Sequence, residues 1–204
     1  MGCQTSKEPS SGGGVEEGKS VQAIPGPPTK HFTYIQVGGK PKELGSGAYS
    51  VVLEARDKKT NEIVAIKKID KKNLQPHDHD ALVNEVSLLS ACKGQANILS
   101  FLNFYEESQY YYLVTEEVAG GELFDRICDK ESYTEHEARI LVQILLKTLS
   151  FLHNKQIAHR DLKPENLLLK SKTDDTTIIL AVSARTAKRL LLLPTKITSP
   201  ERAC

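Results

Sequence analysis

The stretch that leaves this chain the fewest options is Ile157-Ala158-His159-Arg160-Asp161-Leu162-Lys163-Pro164-Glu165-Asn166-Leu167-Leu168. It places a carboxylate, an amine and an amide at fixed offsets. Asp161 can accept a hydroxyl proton, Lys163 can neutralise a phosphate in transfer, and Asn166 can bind a metal ion. Such groups need a surface opposite them that presents phosphate.

Residues 44–67 and Glu85 supply candidates for that surface. In Leu44-Gly45-Ser46-Gly47-Ala48-Tyr49-Ser50-Val51-Val52, glycines let backbone amides approach phosphate oxygens with no Cβ in the way. Ser50 stands where a third glycine would be usual. A glycine-rich β-turn with no ligand reads the same way. Val64-Ala65-Ile66-Lys67 follows in the next strand, and alternation puts Ala65 and Lys67 on one face and Lys68 on the other. The alternative is a solvated strand lysine. Glu85 interrupts the helical stripe of Leu82, Val86 and Leu89. A carboxylate there needs a partner, for which Lys67 is the natural candidate, unless Glu85 lies on the rim of the stripe.

The wider pattern predicts an α+β chain. Val51-Val52-Leu53 and Ile63-Val64-Ala65-Ile66 are strand-like runs around the polar turn 57–62. Asp80 to Cys92 reads as a helix, and Ile98 to Tyr105 and Tyr110 to Thr115 as strands. Thr134 with Glu137 forms a capping box for a long helix, with Ala138, Leu141, Leu145, Leu149 and Leu152 on its buried face. Strands first and helices later predict a small β-rich lobe joined to a helical one. Residues 1–30 are rich in Gly, Ser, Pro and charge, and predict a flexible arm.

From about Ile35 to Leu169 these motifs together resemble the protein kinase superfamily. The resemblance implies a two-lobe fold, with the N-lobe and hinge over 31–118, a partial C-lobe with the catalytic loop over 119–181, and a divergent tail over 182–204. It implies ATP and Mg²⁺ as cofactors and a protein substrate. Leu44, Gly45, Ser46, Gly47 and Val52 would then cover the nucleotide, and Ala65 would touch adenine. Lys67 would bind the α and β phosphates and pair with Glu85. Thr115 resembles the gatekeeper and Glu116 to Val118 the hinge, while Glu122 sits where a ribose contact is common. Asp161 resembles the catalytic base, with Lys163 beside it and Asn166 on the metal. Lys163 within Asp161-Leu162-Lys163-Pro164-Glu165-Asn166 favours the serine/threonine kind. Gly120-Gly121-Glu122-Leu123-Phe124-Asp125 and the polar insert Lys170 to Thr177 look like the calcium/calmodulin-dependent branch.

The likeness breaks after Ile178-Ile179-Leu180-Ala181. The family places Asp-Phe-Gly there, and its Asp holds magnesium; this chain has Val182-Ser183-Ala184. Ala187-Lys188-Arg189 resembles the residues usual after that triplet, displaced by one position, and Leu190 to Cys204 matches nothing in the family. The expectation is a C-terminally truncated kinase, its tail from a shifted frame or an alternative exon. Its helical lobe would be incomplete and apolar faces such as Leu141, Leu145 and Leu152 would lack partners. Activity would be weak or absent. The rival reading is a non-catalytic nucleotide-binding or interaction module.

Composition removes other classes. Lys and Arg number 27 against 26 Asp and Glu, so no global field argues for nucleic acid. No apolar run is long enough to span a bilayer. Cys3, Cys92, Cys128 and Cys204 show no metal or redox spacing, which predicts a reduced, intracellular chain. His77, Asp78, His79 and Asp80 cluster like metal ligands, but read better as a solvated loop before the Glu85 helix. The basic tail residues, such as Arg185 and Lys196, read as a solvated end.

Met1-Gly2-Cys3-Gln4-Thr5-Ser6 fits N-myristoylation at Gly2, and Cys3 is placed for palmitoylation. One acyl chain anchors marginally, at about 0.8 kcal/mol per buried CH₂, so membrane contact would need both. Cells fed an alkyne myristate should label the protein, and Gly2→Ala should abolish the label; equal labelling of the two chains refutes the assignment.

Overall fold

A computed structural model describes residues 21–47, 49–130, 132–182 and 188–189, with His77 and the last pair in backbone only. Gly2, Cys3 and the stretch from Leu190 to Cys204 lie outside the described residues. The strands are β1 (Ile24–Pro25), β2 (Phe32–Tyr34), β3 (Gln36–Val37), β4 (Lys40–Pro41), β5 (Glu43–Gly47), β6 (Ser50–Asp57) and β7 (Ile63–Asp70). Helix α1 (Pro76–Ala91) follows, then β8 (Phe101–Glu106), β9 (Tyr110–Glu116), α2 (Leu123–Asp129) and α3 (Glu135–Asn154). The chain continues through β10 (Ile157–Ala158), β11 (Leu167–Ser171), β12 (Asp174–Leu180) and β13 (Lys188–Arg189). The class is α+β, as the pattern predicts.

A seven-stranded sheet in the order β1-β8-β9-β7-β6-β2 dominates the first half, with β5 also pairing β6. The β6–β7 hairpin forms where expected, because the Asp57 carboxylate accepts N–H bonds from Lys59 and Thr60 and so closes the turn locally. Side chains alternate across the two sheet faces. Ala55, Val64, Ile66, Tyr112 and Val114 pack on one face with Phe32 and Tyr105. Ile69, Phe104, Tyr111 and Leu113 pack with Leu82, Val86 and Leu89 of α1 in a second cluster. The predicted α1 stripe is therefore core.

Helix α1 begins at Pro76 rather than Asp80. Proline suits the first helical position, and Gln75 and Asp78 form a reciprocal capping box, with the Asp78 carboxylate accepting the Gln75 N–H at 3.0 Å. The expected loop at 77–80 is thus the first turns of a helix. Residues 21–30, expected within a flexible arm, are docked instead. β1 runs parallel to β8, Gly26 N–H donates to the Glu106 carbonyl at 2.8 Å, and Pro28 is buried. A proline-rich segment can do this because an edge strand tolerates a missing N–H. Val182, assigned to a divergent tail, is also core, at 5% exposure.

The second half packs α2 and α3 against the β11–β12 hairpin, which contains the polar insert 170–177. Thr134 accepts the Glu137 N–H while the Glu137 carboxylate accepts the Thr134 N–H at 2.8 Å, so the predicted cap opens α3. Leu141 and Leu152 are buried and Leu145 and Leu149 partly so, but Ala138 is exposed and Thr148 is buried in the seam, its hydroxyl donating to the Ile144 carbonyl. The expectation that Leu141, Leu145 and Leu152 would lack partners is overturned. Leu141 packs with Leu123, Leu169 and Ile178, against which Leu145 also lies, and Leu152 joins the cluster under the sheet. The large apolar residues left outward on α3 are Val142 and Leu146, at 53% and 61% exposure.

Two backbone clamps join the halves. Leu180 N–H donates to the Asn97 carbonyl, Leu99 N–H to the Leu180 carbonyl, and Asn97 Nδ2 to the Ile178 carbonyl. This bridge takes Ile98 out of the predicted strand, so β8 starts at Phe101. On the other side Gly120 N–H donates to the Leu169 carbonyl at 3.1 Å and Leu169 N–H to the Gly121 carbonyl at 2.8 Å. A Cβ on Gly120 would sit 2.2 Å from that Leu169 oxygen. Gly120→Ala should therefore lower the urea midpoint of unfolding, with a loss of about 2 kcal/mol or more; an unchanged midpoint would show that the clamp yields freely.

Candidate active site

Strand register assembles the first wall of the site. Val52 stands opposite Lys67, Lys67 opposite Leu113, and Ala65 opposite Thr115. Directly paired residues share a face, so Val52, Ala65, Lys67 and Thr115 line the α1 side of the sheet. Lys68 points the other way and lies over the Tyr110 ring, 3.8 Å from its centroid. Gly45 pairs with Val52 and Gly47 with Ser50, so the glycine run is a β5–β6 hairpin folded over the sheet edge. Leu44, Gly45, Ser46 and Gly47 are exposed along its outer strand.

Gly47, Ser50, Lys67, Leu82 and Glu85 wall a cavity of about 240 Å³ between this hairpin and α1. Lys67 and Glu85 share that wall but form no ion pair within 4.0 Å, contrary to expectation. Both side chains are only partly buried, so each keeps enough water to stand without the other.

The loop 157–168 supplies the second wall. His159 is 3% exposed and acts as its post. Asp161 N–H donates to His159 Nδ1 at 3.3 Å, so the ring proton sits on Nε2 and donates to the Ala181 carbonyl at 3.0 Å. Arg160 takes φ +59°, in the left-handed region that an L-residue with a bulky side chain enters at a cost of about 1 kcal/mol. Asn166 Nδ2 donates to the Asp161 carbonyl at 2.6 Å and to its carboxylate at 3.1 Å. Lys163 Nζ stands 4.0 Å from the same carboxylate oxygen. Ala181 N–H returns to the Asn166 carbonyl at 2.9 Å. The loop is thus held by β12 on one side and by its own amide on the other, with Asp161 presented between an amide and an amine.

One core cluster places the walls together. It joins Ile69 and Leu113, which share the Lys67 face, to Ile157, Leu180 and Val182, which flank the loop. Glu116 and Val118, at the end of β9, are half-buried, and the Glu116 carboxylate accepts the Ser100 N–H at 2.8 Å. Glu122 bridges to Leu168, two residues beyond Asn166. The cavity lining contains Gly47, Lys67 and Glu85; Ala65, Glu116, Val118, Glu122, Asp161, Lys163 and Asn166 lie outside it.

Sequence reasoning missed Glu54. It is 7% exposed, shares the Val52 face directly opposite Ala65, and pairs with Lys42 at 2.7 Å. Strand alternation two residues beyond Val52 was the available signal. Glu117 comes to the same place from the end of β9. Burial, then a hydrogen bond to Glu54 and the Glu54 charge, push its carboxyl above the ordinary range.

The metal expected on Asn166 meets a poor donor set. Asn166 gives both N–H contacts to Asp161, leaving one neutral amide oxygen. Val182, two residues beyond the following strand, is packed in the core with Leu152, Ile157 and Leu180. The acids of β12 lie at the far end of the β11–β12 hairpin and are committed there: bonds from Thr177 and Thr176 hold Asp174 down to about 2, and Asp175 pairs with Lys130 and Arg126. Among the described residues no group of three His, Cys, Asp or Glu could hold a metal ion. Mg²⁺ demands octahedral oxygen ligation and anchors through carboxylates, and the one carboxylate beside Asn166, Asp161, already accepts from the Asn166 amide and faces Lys163.

A family model for the protein kinase domain matches residues 39–181. A probable myosin light chain kinase of Dictyostelium discoideum is 46% identical over 138 residues, covering 68% of this chain and 43% of that protein. The calcium/calmodulin-dependent protein kinase type 1 of Caenorhabditis briggsae is 43% identical over 139 residues, 68% of this chain and 38% of its own length. The calcium/calmodulin-dependent protein kinase cmkB of Emericella nidulans is 40% identical over 158 residues, 72% and 39%. The chain spans about two fifths of the length of these curated relatives.

The raised Glu117 carboxyl fixes a pH dependence. Its folded state holds the proton more tightly than the unfolded chain, whose ordinary value is 4.5, so stability falls as pH rises above that value. Glu117→Gln should melt about 2 °C higher than wild type at pH 8, with the difference vanishing near pH 4; an equal offset at both pH values would reject the buried-carboxyl origin.

Proposed function

The chain belongs to the protein kinase family, of the serine/threonine kind, and from that premise we propose that it binds ATP and passes the γ-phosphate slowly to protein Ser and Thr hydroxyls. The sheet from β2 onward, with α1, is the N-lobe and hinge over 31–118, and α2, α3 and the loop form a helical C-lobe over 119–181. The phosphates meet Lys67 and the amides of Gly45, Ser46 and Gly47, under the lip of Leu44. Adenine lies between Val52 and Ala65 and reaches Glu116 to Val118, with the ribose near Glu122. Asp161 orients and deprotonates the protein hydroxyl, and Lys163 neutralises the phosphate in transfer.

The observation that carries this reading is the Asn166–Asp161–Lys163 constellation on a loop that shares one core with the Lys67 strand. Kinases of this family use ATP with Mg²⁺ generally. The ion supplies several kcal/mol of charge stabilisation where it is well held, which is roughly a thousandfold in rate or more. The donor set among the described residues does not hold it well, so transfer is slow. The buried Val182 favours a second reading, a nucleotide-binding interaction module with no transfer at all. Membrane contact through Gly2 and Cys3 belongs to the proposal and rests on sequence.

Purified chain with γ-labelled ATP and a generic basic protein should give transfer at least about 100-fold below the 1–100 s⁻¹ of ordinary kinases, abolished in Asp161→Asn. Nucleotide binding should persist in both chains. Binding with no transfer selects the second reading, and equal transfer by the two chains removes Asp161 from the reaction.

A further inference from the structure

We infer that this chain takes its nucleoside triphosphate as the free polyanion, with affinity that does not depend on a divalent cation. The inference rests on the nucleotide-binding reading above and goes beyond it by fixing the ligand's ionic form.

Lys67 is half-buried on the sheet face beneath the glycine hairpin, in the wall of the cavity, with no carboxylate oxygen of the described residues within 4.0 Å. An ammonium so placed gains most from the full charge of an uncomplexed triphosphate. A second cation, Lys163, stands beside Asp161 at 47% exposure and is held only by a contact of 4.0 Å. Gly45 and Gly47 of the β5–β6 hairpin carry no Cβ, which lets a phosphate approach the backbone closely.

Among the described residues, the means of holding a magnesium ion against those phosphates are missing. A buried valine, Val182, stands two residues beyond β12, in one core cluster with Leu152, Ile157 and Leu180. Residues 183–187 are Ser-Ala-Arg-Thr-Ala and contain no carboxylate. Glu85, across the cavity, is one carboxylate, Asp161 is another that already accepts from Asn166 and faces Lys163, and Asp78 is turned to cap α1. An ion arriving on the nucleotide would keep most of its water shell and gain little from the described residues. It would also lower the charge that Lys67 meets.

The test is titration of the purified chain with a fluorescent ATP analogue, once in EDTA and once in excess Mg²⁺. The dissociation constants should agree within about threefold. Lys67→Ala should weaken binding in EDTA by about tenfold or more. Tightening by about tenfold or more on adding Mg²⁺ overturns the inference and leaves nucleotide binding intact. Unchanged binding by Lys67→Ala overturns it also, because the phosphates then rest elsewhere. No binding in either buffer overturns both this inference and the nucleotide reading beneath it.

Discussion

Burial of one apolar cluster holds this molecule to its purpose. Leu82, Val86 and Leu89 of α1, Ile69 and Leu113 of the sheet, and Leu152, Ile157, Leu180 and Val182 around the loop all lose their water together. Each fully buried side chain of this kind contributes about 1.5–3 kcal/mol relative to exposure. This packing fixes a strand amine at Lys67 and a loop carboxylate at Asp161 within one body. The backbone clamps at Asn97–Leu180 and Gly120–Leu169 then add direction, which apolar packing lacks.

Val182 shows what that dependence costs in chemistry. The chain just beyond β12 lies where the cluster closes around the loop, and Val182 there extends the core. A carboxylate at that place would need a metal or a cation to offset its desolvation. Packing and phosphate chemistry therefore compete for one position, and in this chain packing holds it. The loop keeps its shape regardless, because His159, Ala181 and Asn166 fix it through bonds that do not involve residue 182.

Legibility followed the range of the interaction. Strand alternation alone placed Ala65 and Lys67 on one face and Lys68 on the other. The reciprocal Thr134–Glu137 cap was readable for the same reason, since it spans three residues. Pro76 at the start of α1 carried a readable signal too, but the cluster of His and Asp after it drew the reading toward a loop. The arm at 21–30 was misread because composition reports backbone freedom and says nothing of an edge strand waiting to be paired.

The sequence by itself determined the chemical groups and their local order: the glycine hairpin, the amine on its strand, and the Asp161–Asn166 spacing on a short loop. Those features depend on backbone geometry within a few residues, which the residue types dictate. Only the tertiary structure decided that Lys67 stands apart from Glu85, that Glu54 and Glu117 meet beside Lys42, and that Val182 belongs to the core. Such outcomes turn on how much water each side chain keeps, and that is set by residues far away in the chain.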